Sequence, residues 1–309
     1  MNGRSQGFVL IAVLWLLALF AIVAVGYSRT TRYKSQEIVN ELVLAREDQL
    51  FASGLEMAAF QYQLYHNNKL RFLSSGLEDS LTPEQRSVMW YPRYETYSLA
   101  MEDHFLFVRI EPVGARMALG SMTGDLWFAV LGACGVEDEG DRLAIISAIA
   151  DWQDADSLLH LDGAEQDYYD TLTPAYMCKN APIETLEELM YVRGITPGVY
   201  YGAENRPGLR HFLTMDGKNT RLDINSASPL SFRIIGEITA EEIDAIVSLR
   251  QQNPIVNLAE AQELLSLVAS GELERFYHIM HDPTQVRMYI AWDPDPGPGV
   301  RFRTRTFSQ

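Results

Sequence analysis

Between Glu137 and Asp170 the chain carries eleven carboxylates against a single arginine. Two stretches stand out within this run, DWQDAD and DGAEQDYYD. Asp151 and Asp154 are three apart and share one face of a helix. Asp154 and Asp156 can both point into one loop, and Glu165, Asp167 and Asp170 follow the turn at Gly163. Carboxylates this crowded repel one another unless water or a cation neutralises them. Calcium suits them chemically, because it takes six to eight oxygens at about 2.3–2.6 Å. The candidate ligands are Asp154, Asp156, Glu165, Asp167 and Asp170, holding one or two structural ions. The spacing is not that of an EF-hand loop, so a solvated acidic loop stays open as the alternative. Trp152 and the pair Tyr168-Tyr169 read as packing residues.

Other chemistry is sparse. There is no glycine-rich phosphate loop and no H-E-x-x-H pattern, and the six histidines are scattered. The chain reads as a non-enzyme. Its net charge of −16 and pI near 4.8 disfavour nucleic acid and anionic membrane surfaces as partners of a soluble part. The two cysteines, Cys134 and Cys178, flank the acidic run. In an oxidising compartment they are expected to pair. Closing a loop of about 45 residues would be worth about 4 kcal/mol in the chain-entropy picture.

The elements that position these residues can be read from periodicity. No proline occurs from Phe8 to Asn67, and Ile38, Leu42, Ala45, Ala52, Leu55, Ala59 and Tyr62 recur at helical spacing. This predicts one long helix. RYETYSLAMED and HFLFVRIEPVG read as a hairpin turning at Asp103-His104. DRLAIISAIADW, IETLEELMYVRG and TAEEIDAIVSLRQ read as helices ending at Gly or Asn-Pro. Strand character returns at QVRMYIAWD and VRFRTRTF, joined by the turn DPDPGPG. The expected fold is α+β, a long N-terminal helix packed on an antiparallel sheet that a large all-α segment interrupts.

The run from Phe8 to Val25 is 18 residues without a charge. As a helix it spans roughly 27 Å, close to the hydrocarbon core of a bilayer. A secretory signal is shorter and ends in a small-residue cleavage site, whereas GYSRTTRYK follows here. Basic residues lie on both sides of the run, so charge does not orient it. Gly7 before Phe8, after the basic leader MNGRSQG, resembles the type IV prepilin and pseudopilin signal. That resemblance implies cleavage between Gly7 and Phe8 by a prepilin peptidase, methylation of the new amino terminus, and retention of the helix. Pilin-type helices carry Glu at the fifth mature position, where this chain has Ala12. A subunit lacking it suits a special place in a filament rather than its bulk.

The segment RLDINSASPLSFRIIGEITAEEIDAIVSLRQQNPIVNLAEAQELL resembles helix-hairpin-helix or SAM-like modules, and YVRGITPGVY is a partial copy. DNA-binding hairpins present two glycines to a phosphate. Here the turn reads IGEIT, so Glu237 stands where the second glycine would be and repels an anion.

Taken together, QGFVLIAVLWLLALFAIVA, AIADWQDAD, DGAEQDYYD, NAPIETLEELMYVRGITPGVY and LDINSAS resemble the minor pseudopilin K family of the type II secretion system, also called general secretion pathway protein K. The resemblance implies a pilin-like core with a helical insertion, a place at the pseudopilus tip, and assembly with the minor pseudopilins I and J. It also implies a single-pass inner-membrane anchor contacting lipid, a periplasmic head, and calcium at the acidic segment. The expected organisation is a leader at 1–7, a membrane helix at 8–27 and a stem with first strands at 28–119. A helical insertion at 120–275 and returning strands at 276–309 complete it. The alternative is a membrane-anchored helix-hairpin-helix protein that binds DNA for uptake, which would call for a basic module that residues 221–265 do not supply.

Overall fold

The computed structural model describes residues 4–73, 81–101, 104–203, 205–280, 283–293 and 302–308, with backbone alone at 4–10 and 302. Helix α1 runs without a break from Arg4 to Asn67. From Ile11 onward it contains a window long and apolar enough to cross a membrane. Trp15, Phe20 and Ile22 in that window are exposed. Two compact units divide the chain, residues 1–53 and 54–309.

In the second unit, the short helices α2 (Lys69–Leu73) and α3 (Pro83–Ser87) lead into strands β1 (Arg93–Met101) and β2 (His104–Pro112). Beyond these come β3 (Met117–Ala118), α4 (Gly124–Ala133), α5 (Glu139–Gln153), α6 (Gln166–Tyr169), α7 (Pro197–Tyr201), β4 (Leu213–Thr214) and β5 (Leu222–Asp223). The chain ends with α8 (Ala240–Gln252), α9 (Leu258–Gln262), α10 (Leu267–Phe276), β6 (Tyr277–His278), β7 (Gln285–Ala291) and β8 (Phe302–Ser308). The main sheet has the order β1-β2-β7-β8, with every neighbour antiparallel.

Alternation explains the sheet. Leu106, Val108 and Ile110 on β2, and Val286, Met288 and Ile290 on β7, are fully buried. Phe107, Arg109, Arg287 and Tyr289 between them are half-buried on the opposite face, as alternation along a strand requires. The segment of α1 from residue 54 lies on the apolar face. Gly54 permits the approach, since a Cβ there would meet Ile290 Cδ1 at 2.4 Å. The expected hairpin pairs Met101 with His104; Glu102 and Asp103 lie outside the described residues, as does most of DPDPGPG.

The insertion leaves the sheet after β2 and returns at β7. It therefore starts before residue 120, because Met117 of β3 already pairs with Leu213 of β4 inside it. It extends beyond residue 275, because β6 pairs with β5. These two-residue parallel pairs interrupt what read as all helix. IETLEELMYVRG forms only a six-residue 3-10 turn, Leu186–Tyr191. Glu188 folds back onto the amides of Glu184 and Thr185, and Gly194, with φ +84°, ends the run.

Residues 54–309 form one unit because the insertion is stitched to the sheet. Arg250 of α8 is fully buried. Its Nε and one terminal nitrogen donate to Glu95 of β1 at 3.0 and 2.7 Å. Its other terminal nitrogen donates to the carbonyls of Ile224 and Ala227 at 2.9 and 2.7 Å. Tyr91 donates its hydroxyl to the Arg250 carbonyl, and Asn225 exchanges two hydrogen bonds with the backbone of Ile255.

Candidate cation site in the acidic lobe

Helix α5 begins at an Asp138 N-cap, whose side chain accepts from the Asp141 amide at 3.0 Å. It ends at Asp154, the C-cap. Its last turn brings Asp151 and Trp152 inward, and both are buried. Trp152, Tyr169 and Tyr176 pack edge to face or tilted, with centroids 5.3–6.4 Å apart. This aromatic cluster is the floor on which the acidic loop rests, which agrees with the packing role expected for Trp152 and Tyr169.

The loop after α5 folds back over Asp151. The Asp151 carboxylate accepts from the amides of His160 at 3.1 Å and Ala164 at 2.6 Å, and touches the His160 ring nitrogen Nδ1. That contact raises the His160 pKa above its ordinary value, with the surrounding carboxylates adding to it. Asp156 accepts from the Leu158 amide at 2.8 Å, a side-chain turn of the kind Asp favours. Asn180 reaches across and donates to the Asp156 carbonyl at 2.8 Å. Arg193 donates to the carbonyls of Asp162 and Gly163 at 3.3 and 2.7 Å.

Within this frame, four side-chain oxygens are buried and meet no hydrogen-bond partner: Asp154 Oδ1, both oxygens of Glu165, and Asn180 Oδ1. All four are acceptors, and a buried acceptor without a donor costs about 1–3 kcal/mol, more if charged. Desolvation is the main cause that raises the Glu165 pKa, followed by the charges of Asp151, Asp154 and Asp156. Asp151, Asp154 and His160 can also bring ligand atoms within 4.8 Å of one another. The His160 nitrogen nearest the carboxylates is already engaged with Asp151, so the ligands left over are oxygens. An all-oxygen set selects calcium or a similar hard cation over zinc or copper. The unpartnered oxygens of Asp154, Glu165 and Asn180, with Asp156 in the same acidic loop, are of the type that a calcium ion takes.

Two of the expected ligands are exposed. Asp167 is exposed on the first turn of α6. Asp170 is exposed too, and accepts from Gln166 of its own helix at 2.7 Å. Helix α6 carries both carboxylates outward, because the buried Tyr169 fixes which face turns in. Asp151 and Asn180, not among the expected ligands, hydrogen-bond to the same acidic loop. Asp151 was visible as a helix-face partner of Asp154. Asn180, 24 positions from Asp156, gives no local signal.

The cysteines are not joined. Cys134 and Cys178 are buried, free thiols. Cys134 caps α4, where burial pushes its pKa up and Arg206 is the nearby charge. The Cys178 thiol points to the carbonyl of Asp151. The two ends of the expected bond sit in different surroundings, so the disulfide is not formed in this structure.

The hairpin segments repeat one device. A 3-10 turn is followed by a left-handed residue and a threonine N-cap, then a helix. This gives Gly194 (φ +84°) before Thr196 and α7, and Glu237 (φ +62°) before Thr239 and α8. The exposed Glu237 carboxylate stands at the left-handed position of the second of these turns. Gly7 and Phe8 lie in the first turns of α1.

Residues 123–204, which contain the acidic lobe, match the family described as Type II secretion system (T2SS), protein K. A putative type II secretion system protein K of Escherichia coli (strain K12) is 26% identical over 210 residues, 65% of this chain and 61% of its own length. The type II secretion system protein K of Aeromonas hydrophila is 38% identical over 73 residues, 23% of this chain and 22% of its own. The chain thus spans less than two thirds of the length of these curated relatives. Among solved structures, a chain from the crystal structure of the GspK-GspI-GspJ complex of the enterotoxigenic Escherichia coli type 2 secretion system aligns with a TM-score of 0.46. Its identity is 17%, over 86% of this chain and 99% of that one.

Proposed function

We propose that this chain, which carries the type II secretion system protein K domain over residues 123–204, works as a minor pseudopilin at the tip of a secretion pseudopilus. It assembles there with the minor pseudopilins I and J to start or cap the filament. The coincidence of that domain with the long apolar helix of α1 carries the reading. In it, prepilin peptidase cuts between Gly7 and Phe8 and methylates the new terminus. The apolar half of α1 stays in the inner membrane, among lipid, with the head in the periplasm. Ala12 in place of the filament-pairing glutamate suits a subunit with no neighbour above it.

In the same reading the acidic lobe binds calcium as a structural ion. Glu165, Asp154 and Asn180 hold it, Asp156 lies beside them, and Asp151 keeps the loop in place. The ion supplies the positive charge that these oxygens lack. The role is one of assembly rather than catalysis.

The test uses the full chain in detergent micelles, mixed with purified minor pseudopilins I and J in millimolar calcium. Size-exclusion chromatography with light scattering should give a complex containing all three. A chain that elutes alone at every ratio tested would overturn the reading.

A further inference from the structure

A cavity of about 190 Å³ lies between the main sheet and the insertion. It is walled by Tyr94 and Arg109 of the sheet, by Glu111 and Arg116, and by Arg210 and Ser228 of the insertion. In a chain of net charge −16, three arginines around one cavity are a local exception.

One of the three is already neutralised. Arg116 grips Glu111 through two parallel hydrogen bonds, Nε to Oε1 at 2.9 Å and a terminal nitrogen to Oε2 at 3.0 Å. Its remaining nitrogen donates to the Arg210 carbonyl. The other two are not. Arg109 stacks on the Tyr94 ring at 4.3 Å, and its Nε is buried with no hydrogen-bond acceptor. Neither Arg109 nor the exposed Arg210 makes an ion pair among the described residues.

Ser228 adds an independent sign. It is 5% exposed and stands at the N-cap of the 3-10 turn Pro229–Ile234, yet its side chain caps nothing. Its hydroxyl is buried without a partner. A serine at this position ordinarily spends its oxygen on the turn's own amides. Here an N–H of a guanidinium and an O–H, both desolvated and unused, border the same space.

We infer that this cavity is a binding site for a small carboxylate anion, held by Arg109 Nε and Ser228 Oγ with Arg210 at the rim. An unused N–H on the sheet wall and an unused O–H on the insertion wall border one cavity and can each meet an oxygen of a carboxylate, and hydrogen bonds to a charged acceptor are the strong ones. The Glu111–Arg116 pair shows the same chemistry satisfied internally a few atoms away. One water needs about 10–15 Å³ of such space, so a short organic acid fits.

Isothermal titration calorimetry on the full chain in detergent micelles, with calcium present, tests this. Sodium succinate is the probe, and sodium chloride at equal ionic strength is the blank. The expected result is saturable one-site binding above the blank. Ser228→Ala and Arg109→Lys, which keep size or charge but remove a donor, should each weaken it about tenfold or more. Without succinate, Ser228→Ala should raise the melting temperature, because the idle hydroxyl is gone, and this shows that the variant folds. No saturable heat above the blank would overturn the inference. So would two folded variants that bind succinate as the parent chain does.

Discussion

The carboxylate of Asp151 occupies the space that a side chain at position 163 would need. A Cβ placed on Gly163 would stand 2.0 Å from Asp151 Oδ2. The pair fixes the loop between them, because Asp151 holds the His160 and Ala164 amides from below. Gly163→Ala should therefore destabilise the chain by about 2 kcal/mol and blunt its response to calcium. Melting curves with and without calcium check both parts.

Glu165→Gln should change sign with the ion. Without calcium it removes a buried, unpartnered charge, so the melting temperature should rise. With calcium the parent gains about 2.7 kcal/mol at a hundredfold excess over Kd, and the variant should lose most of that gain. Asp154→Asn should also lose it. Asp167→Asn and Asp170→Asn should leave it unchanged, as both carboxylates point to solvent. Sodium chloride at equal ionic strength is the control, and equal shifts in the two salts would return the lobe to a solvated acidic loop.

The pH dependence follows from the same residue. The folded-state pKa of Glu165 is raised, so the folded chain binds more protons there than the unfolded chain. Its contribution to stability is full below pH 4.5, the ordinary value, and is lost as pH rises through the folded pKa. His160, also raised, contributes fully below pH 6.5 and loses its contribution as pH rises through its own folded pKa. Subtracting the pH–stability curve of Glu165→Gln from that of the parent, in a chelator, should give a difference that falls as pH rises above 4.5 and through the raised folded pKa. In calcium the fall should shrink.

Arg250→Ala should cost about 3–5 kcal/mol, the usual penalty for breaking a buried pair. It leaves the Glu95 carboxylate and two carbonyls without their donor. Glu95→Gln should cost less, and the double variant less than the sum. A double-mutant cycle by chemical denaturation measures the coupling.

Two free thiols predict a labelling pattern. In unreduced protein, Cys134 and Cys178 should react slowly when native, since burial raises both pKa values. On unfolding, two equivalents of reagent should be taken up. Mass spectrometry after labelling counts them, and uptake of none would restore the disulfide.

The main sheet was legible because aromatic and β-branched residues are dense in both hairpin segments, and Val108 and Ile110 alternate with Arg109 and Glu111. Helix α5 was legible from its apolar spacing, and Asp154 and Glu165 from charge density alone. The rest depends on contacts far apart in sequence. Arg250 reads as a surface charge near the end of an amphipathic helix, and nothing local says that Glu95 waits for it. Asn180 meets the acidic loop only because segments 24 positions apart fold against one another. The exposure of Asp167 and Asp170 was not legible for a related reason: charge density cannot tell which face of a four-residue helix the buried Tyr169 will claim.

Pro112 and Val286 are direct partners across β2 and β7, so the insertion departs from and rejoins the sheet at a single point. Topologically β2 and β7 are the two arms of one hairpin, and everything between them is its turn. Lengthening a hairpin turn from about four residues to about 170 costs only about 3 kcal/mol in closure entropy, since the penalty grows with the logarithm of length. A module that folds with its own core easily offsets that sum. The sheet could thus have acquired its large lobe in one step, with no strand reordered, and pairs such as Arg250 with Glu95 could have tightened the graft afterwards.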